Sequence, residues 1–169
     1  MSIEKNFDYS KVYNAITFLY PRNKDLPKQG FAAGPCLPKD ALQLWQSSRK
    51  HTNLIYNSYL INESLPLFLV NNLKKEINIK NKNIGVLGTT FKASIDDERE
   101  SLSKKLIQIL KKSGSRVFTY DPYVDLKKSD ALKKLLNKCK IVFIGTPHPE
   151  FKKLNLKNKK LIDCWNFIN

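Results

Sequence analysis

Asn83-Ile84-Gly85-Val86-Leu87-Gly88 is a short apolar run ending on glycine, and it decides the fold. No charge interrupts it, the pattern of a strand buried on both faces of a parallel sheet. Working outward, Ser101 to Lys112 places Leu102, Leu106, Ile107 and Leu110 at helical spacing, with Gly114 just past the end as a stop signal. Arg116 to Tyr120 reads as a second strand, closed by Asp121-Pro122. A lysine-rich helix over about Asp130 to Lys138 leads to a third strand, Lys140 to Gly145, and a fourth follows at Lys159 to Cys164. Strands alternating with helices predict an α/β fold with a parallel sheet and right-handed crossovers. Such sheets gather ligands at the carboxyl ends of their strands. Those ends are Gly88–Arg99, Asp121-Pro122 and Thr146–Glu150.

At 169 residues, 41% hydrophobic and 27% charged, the chain has the composition of a globular protein with a real core. No apolar run approaches a membrane span and the first twenty residues have no signal-peptide layout, so a cytoplasmic protein with no membrane partner is expected. Cys36, Cys139 and Cys164 are odd in number and far apart, fitting neither a disulfide framework nor a metal site. The formal charge of +15 makes a polyanionic partner a serious reading. The lysines, however, are scattered in pairs such as Lys74-Lys75, Lys111-Lys112, Lys127-Lys128 and Lys152-Lys153. No helix-turn-helix, zinc-finger or aromatic-basic motif accompanies them, so solvated faces are expected and nucleic acid is not.

Upstream of residue 80 the pattern is helical. Tyr9 to Leu19 carries Val12, Ile16 and Leu19 on one face and stops at Tyr20-Pro21. A helix from about Pro38 to Lys50 is followed by a longer one from His51 to about Ile77, apolar on more than one face and interrupted by Pro66. That long helix is either packed within the chain or a subunit interface. Ahead of Pro38 lies the uncharged loop Gly30-Phe31-Ala32-Ala33-Gly34-Pro35-Cys36. Cys36 falls just before a helix N-terminus, where unpaired N–H groups and the helix dipole favour a thiolate. Asp40 follows four residues on.

Gly85-Val86-Leu87-Gly88 invites a dinucleotide reading, but there is no third glycine and the loop to the next helix is too long. This lobe is therefore not expected to hold NAD alone. The loop Phe91-Lys92-Ala93-Ser94-Ile95-Asp96-Asp97-Glu98-Arg99-Glu100-Ser101 sets two cations and a ring at a strand end beside a helix start. That place suits phosphates, although capping acids with solvated cations read equally well from composition.

Two distant segments resemble one family. Cys36-Leu37-Pro38-Lys39-Asp40 behind its glycine-bearing loop is similar to the catalytic-cysteine segment of the UDP-glucose/GDP-mannose dehydrogenase family. Leu87-Gly88, Phe91-Lys92, Asp97-Glu98-Arg99-Glu100-Ser101 and Tyr120-Asp121-Pro122 resemble that family's UDP-binding domain, as do Thr146–Phe151 and Asp163–Asn166. The resemblance runs over residues 9–169. It implies a remnant of the central helical domain at 1–50, a connecting and dimerisation helix at 51–79, and a Rossmann-like UDP-binding domain at 80–169. It also implies NAD-dependent, two-step oxidation of a nucleotide-sugar primary alcohol to the carboxylate. Cys36 would be the nucleophile that forms a thiohemiacetal and then a thioester, with Asp40 assisting the water or the proton transfers. Gly30, Phe31, Ala32, Ala33, Phe91 and Lys92 would bind substrate, and Lys39 and Arg99 would lie near the cofactor. Arg22 is either a substrate contact or a surface residue, and His148 is read as a loop residue. Alanines and Pro35 depart from the family's commoner glycine and serine, which leaves the sugar open among glucose, mannose and N-acetylated hexosamines.

The family's NAD-binding domain and active-site lysine find no counterpart in these residues. The expectation is an engineered fragment, a truncated gene product or one half of a split enzyme, unable to oxidise substrate alone and using a separate NAD-binding domain. The alternatives are a non-catalytic nucleotide-sugar-binding module and a basic nucleic-acid-binding protein.

Overall fold

The computed structural model describes residue 5 and residues 7–125 and 129–168; the Lys127-Lys128 pair lies outside them. Helix α1 spans Tyr9–Thr17, and a single 3-10 turn spans Pro21–Asn23. Helices α2 (Leu37–Ser47) and α3 (Asn53–Glu76) follow. The sheet region then runs β1 (Asn83–Leu87), α4 (Leu102–Lys112), β2 (Arg116–Tyr120), α5 (Ser129–Lys138), β3 (Ile141–Ile144), a 3-10 turn at Pro149–Lys153, and β4 (Lys160–Ile162). All neighbouring strands pair in parallel, in the order β2-β1-β3-β4. The chain steps from β1 to one side and later to the other, so the β1/β3 boundary is the switch point where a crevice opens at the strands' carboxyl ends.

Strand periodicity divides the core in two. Ile84 and Val86 of β1 and Ile141 and Phe143 of β3 face a layer made by Leu69, Val70 and Leu73 of α3 with Leu102, Leu106 and Leu110 of α4. The alternate residues Leu87, Val142 and Ile144 face Leu135 of α5, Cys139, Phe151 and Leu156. Each fully buried aliphatic or aromatic side chain contributes about 1.5–3 kcal/mol, so these two layers outweigh the surface ion pairs, worth about 0–1 kcal/mol each. Helix α4 starts and stops where the sequence signals it. Ser101 caps it by accepting from the Ser103 N–H, and Gly114 at φ +81 lets the Ser115 N–H return to the Leu110 carbonyl.

Helix α3 continues through Pro66 for 24 residues, and its last three turns carry its buried side chains. Leu54, Ile61 and Leu67 remain exposed, so part of the predicted apolar surface is not covered by the described residues. Helix α1 differs from its reading. It ends at Thr17, Leu19 is 86% exposed, and Val12 and Ile16 are also exposed. The amphipathic pattern forms a helix there without burying its stripe.

The tightest point of the sheet is the β1 terminus. Gly88 has φ +87, and a Cβ placed there would lie 2.5 Å from Thr146 Cβ and 2.6 Å from the Thr146 amide nitrogen. Left-handed strain and the clash with backbone add, so Gly88→Ala should lose about 2–4 kcal/mol of stability. The midpoint of urea unfolding measures it; an unchanged midpoint would contradict this packing.

Candidate active site

Two glycines seat the Cys36 loop on the α/β lobe. A Cβ at Gly30 would lie 2.0 Å from Trp165 Cε3, and one at Gly34 would lie 2.8 Å from Phe91 Cδ2. Both distances are far inside van der Waals contact, so only a residue without a side chain fits against those rings. Phe31 meets Trp165 edge-on, with ring centroids 5.9 Å apart. Trp165 is anchored by donating its indole N–H to the Gly145 carbonyl at 3.2 Å. From α3, the Asn62 side chain accepts the Ala32 N–H at 3.0 Å and donates to the Ala32 carbonyl at 2.6 Å. One amide thus satisfies both backbone groups of a loop residue and fixes its register.

Between loop and lobe lies a cleft of about 330 Å³. Phe31, Ala32, Ala33 and Leu37 form one wall; Phe91, Lys92, Ala93, Pro147 and Trp165 form the other. Predicted substrate-binding residues from sequence positions some sixty apart therefore meet across one space. Gly30 stands behind the cleft against Trp165, and Arg22 sits on the exposed Pro21–Asn23 turn, outside the lining. A larger cavity of about 680 Å³ is bounded by α1, α3 and residues 163–166. Its walls include Ile61, Leu65, Phe68 and Leu69, and its two carboxylates are engaged by backbone, Asp8 with the Ser10 amide and Asp163 with the amides of Trp165, Phe167 and Ile168. Size alone does not make it the site; the smaller cleft has the cation, the rings and the nearby thiol.

Cys36 is the N-cap residue of α2, with Pro38 in the first turn, and it is exposed. The Asp40 N–H donates to the Cys36 carbonyl at 2.9 Å, so thiol and carboxylate share one helical turn. Lys39 pairs with Asp40 at 3.4 Å in the open. Burial pushes the Cys139 thiol up to about 11 and the Cys164 thiol up to about 12. Both are therefore protonated at neutral pH, Cys139 buried and Cys164 half-buried, and Cys36 is the exposed thiol. Arg99 grips Asp97 with a bidentate contact, Nη2 to Oδ2 at 2.6 Å and Nε to Oδ1 at 3.1 Å. The Asp97 hydrogen bond chiefly raises the affinity of Arg99 for its proton.

Beneath the cleft the three strand-end loops are locked by a buried pair that sequence reading missed. His148 Nε2 lies 2.9 Å from Asp121 Oδ2, both side chains fully enclosed. Asp121 Oδ2 also accepts the Thr89 and Thr90 N–H groups at 2.7 and 3.2 Å, and Oδ1 accepts the Tyr123 N–H at 2.9 Å. His148 Nδ1 accepts the Ser94 N–H at 3.1 Å, which places the ring proton on Nε2 as donor to Asp121. His148 is thus a loop residue, as read, but a buried one that pins Phe91 and Lys92 from below. Burial raises the Asp121 pKa, but the His148 hydrogen bond and the donated amides outweigh it and hold the carboxyl well below the usual range. The signals were present as Asp121-Pro122 and Thr146–Glu150 at strand ends; their pairing across 27 residues was not readable.

The glycines at the strand ends serve close packing: a Cβ at Gly88 would lie 2.5 Å from Thr146 Cβ, and one at Gly145 would lie 2.4 Å from the Gly88 carbonyl oxygen.

Residues 85–169 match the profile described as the UDP-glucose/GDP-mannose dehydrogenase family, UDP binding domain. The UDP-N-acetyl-D-mannosamine dehydrogenase of Pyrococcus horikoshii is 35% identical over 171 residues, covering 93% of this chain and 41% of that protein. The UDP-glucose 6-dehydrogenase of Rickettsia conorii is 30% identical over 166 residues, covering 80% of this chain and 37% of its own length. The solved UDP-glucose dehydrogenase of Pyrobaculum islandicum superposes with a TM-score of 0.81 at 27% identity, over 98% of this chain and 42% of that one. The chain therefore spans about two-fifths of the length of the relatives it matches.

Because Asp121 is held below the ordinary carboxylate value, it stabilises the fold above about pH 4, and that contribution is lost as pH falls toward its folded value. Asp121→Asn should cost about 3 kcal/mol at pH 7 and flatten the loss of stability below about pH 4. Urea midpoints at neutral and acid pH measure both; equal slopes for the two proteins would contradict the buried pair.

Proposed function

Because this chain belongs to the UDP-glucose/GDP-mannose dehydrogenase family, we propose that it supplies the nucleotide-holding wall and the cysteine nucleophile of a nucleotide-sugar dehydrogenase. The observation carrying this reading is the single cleft that Ala32 and Ala33 share with Phe91 and Lys92, lined also by Leu37, the residue that follows the exposed Cys36. A UDP-hexose is the substrate: Phe91 offers a ring face, Lys92 a point charge for a diphosphate, and the uncharged Ala32–Ala33 wall admits the sugar without desolvating a charge. The exposed side of α3 at Leu54, Ile61 and Leu67 is where a second subunit would bury its apolar surface.

In the chemistry proposed, the Cys36 sulfur adds to the aldehyde carbon of the half-oxidised sugar, forming the thiohemiacetal. Asp40, one helical turn away, hands protons between that adduct and water and assists the water that cleaves the later thioester, freeing the thiol and the carboxylate. Arg99, fixed by Asp97, sets positive charge beside the sulfur. NAD, the hydride acceptor of this chemistry, would be held mainly by a separate domain, with Lys39 and Arg99 of this chain near it.

Calorimetry on the chain alone should detect UDP, and Lys92→Ala should weaken it about tenfold. When a relative's cofactor-binding unit is supplied, Cys36→Ser should lower turnover by about three orders of magnitude or more. UDP binding with undiminished turnover in the serine variant would sink the covalent role; no UDP binding at all would sink the whole reading.

A further inference from the structure

The formal charge of +15 does not serve the cleft. Acids crowd the strand-end loops on that side, where Asp96, Asp97, Glu98, Glu100, Asp121 and Glu150 lie. Cations crowd the opposite edge. There Lys82 precedes β1 beside Arg116 at the start of β2, joined by the Arg116 N–H to Lys82 carbonyl bond at 2.9 Å. Lys140 precedes β3 beside Lys160 of β4, joined by a corresponding bond at 2.8 Å. In register Arg116 and Lys140 stand on either side of Asn83, while Lys82 lies one residue earlier and Lys160 one residue later, so the four cations gather at the strand-start edge, divided between the two faces of the sheet. All four are exposed. The last turns of the helices add Lys74 and Lys75 from α3, Lys111 and Lys112 from α4, and Lys138 from α5.

Helix dipoles account for the helical lysines, but a sheet has only a small net dipole and offers the strand-start cations no such compensation. Like charges gathered on one edge repel each other. Among the described residues, the carboxylate that answers them on this edge is Glu76, paired with Lys160 at 2.5 Å. On this edge helices α3, α4 and α5 end and the strands that follow them begin. It presents no helix for a groove, and its neighbouring ring, Phe118, is half-buried beneath the Lys138 ammonium at 5.5 Å, so bases find no stacking platform.

We propose that this edge, carried by Lys82, Lys112, Arg116 and Lys140, is a docking surface for an anionic lipid bilayer, with the cleft turned toward solvent. Adsorption through headgroup charge needs no spanning segment, and no described helix is long and apolar enough to cross a membrane.

The test is sedimentation of the 169-residue chain with phosphatidylcholine vesicles, with and without about one-third phosphatidylserine. The chain should pellet with the anionic vesicles alone and be released as salt rises toward about 1 M, where the screening length is about 3 Å. Replacing Lys82, Lys112, Arg116 and Lys140 by Gln should weaken binding about tenfold or more. A control with Lys11, Lys24, Lys50 and Lys153 replaced by Gln, equal in net charge, should stay within about threefold. Equal losses in both variants, no pelleting with the anionic vesicles, or displacement by an RNA or DNA duplex at far lower phosphate concentration would overturn the proposal. Should the first variant fail to fold, judged by circular dichroism, the unmodified chain still decides through its lipid dependence and the nucleic-acid competition.

Discussion

An indole and a phenyl ring pressed against two side-chain-free positions hold the thiol-bearing loop to the sheet, and the rest of the site depends on that contact. Trp165 occupies the space a Cβ at Gly30 would need, and Phe91 does the same at Gly34. Burying aromatic surface of about 150–250 Å² per ring contributes several kcal/mol, whereas each Asn62 hydrogen bond to Ala32 contributes about 1 kcal/mol. Ring packing therefore decides that the loop docks, and Asn62 decides which residue lands where. A displacement of the loop by one side chain would carry Ala32 and Ala33 away from the Phe91–Lys92 wall.

The lobe beneath this contact is stiffened by charge kept out of water. Asp121 and His148 are enclosed side by side, and the pair is tolerable because donors on three loops satisfy the carboxylate. These loops are the ones that end β1, β2 and β3, so one buried pair sets the geometry of the whole strand-end surface. The exposed Asp97–Arg99 pair is of another kind: solvent-screened, it orients a guanidinium more than it stabilises a fold. Burial likewise sorts the thiols, silencing Cys139 and Cys164 while leaving Cys36 open.

Much of this was legible from residue order. The apolar runs at 84–87 and 141–144, the Gly114 stop and the alternation of helix with strand predict the parallel sheet, because each rests on local periodicity. The Cys36 loop and the Phe91–Arg99 segment were legible through family resemblance, and the structure brings them together. What could not be read is what distance along the chain conceals: Asn62 reaching back thirty residues to Ala32, Trp165 closing on Gly30, and His148 meeting Asp121. The Val12–Ile16 stripe shows the converse limit, since its helix forms as read but its face stays exposed. A local pattern predicts a helix but cannot supply the surface that would bury its face.

The account claims that the loop carrying Cys36 and the wall carrying Phe91 and Lys92 enclose one space. The rate of Cys36 alkylation by iodoacetamide, with and without a saturating UDP-hexose, tests that most directly. The account predicts that the sugar nucleotide slows alkylation, and that UDP alone, which leaves the sugar's place open, slows it less. An alkylation rate untouched by bound UDP-hexose would place the nucleotide elsewhere and contradict the shared cleft.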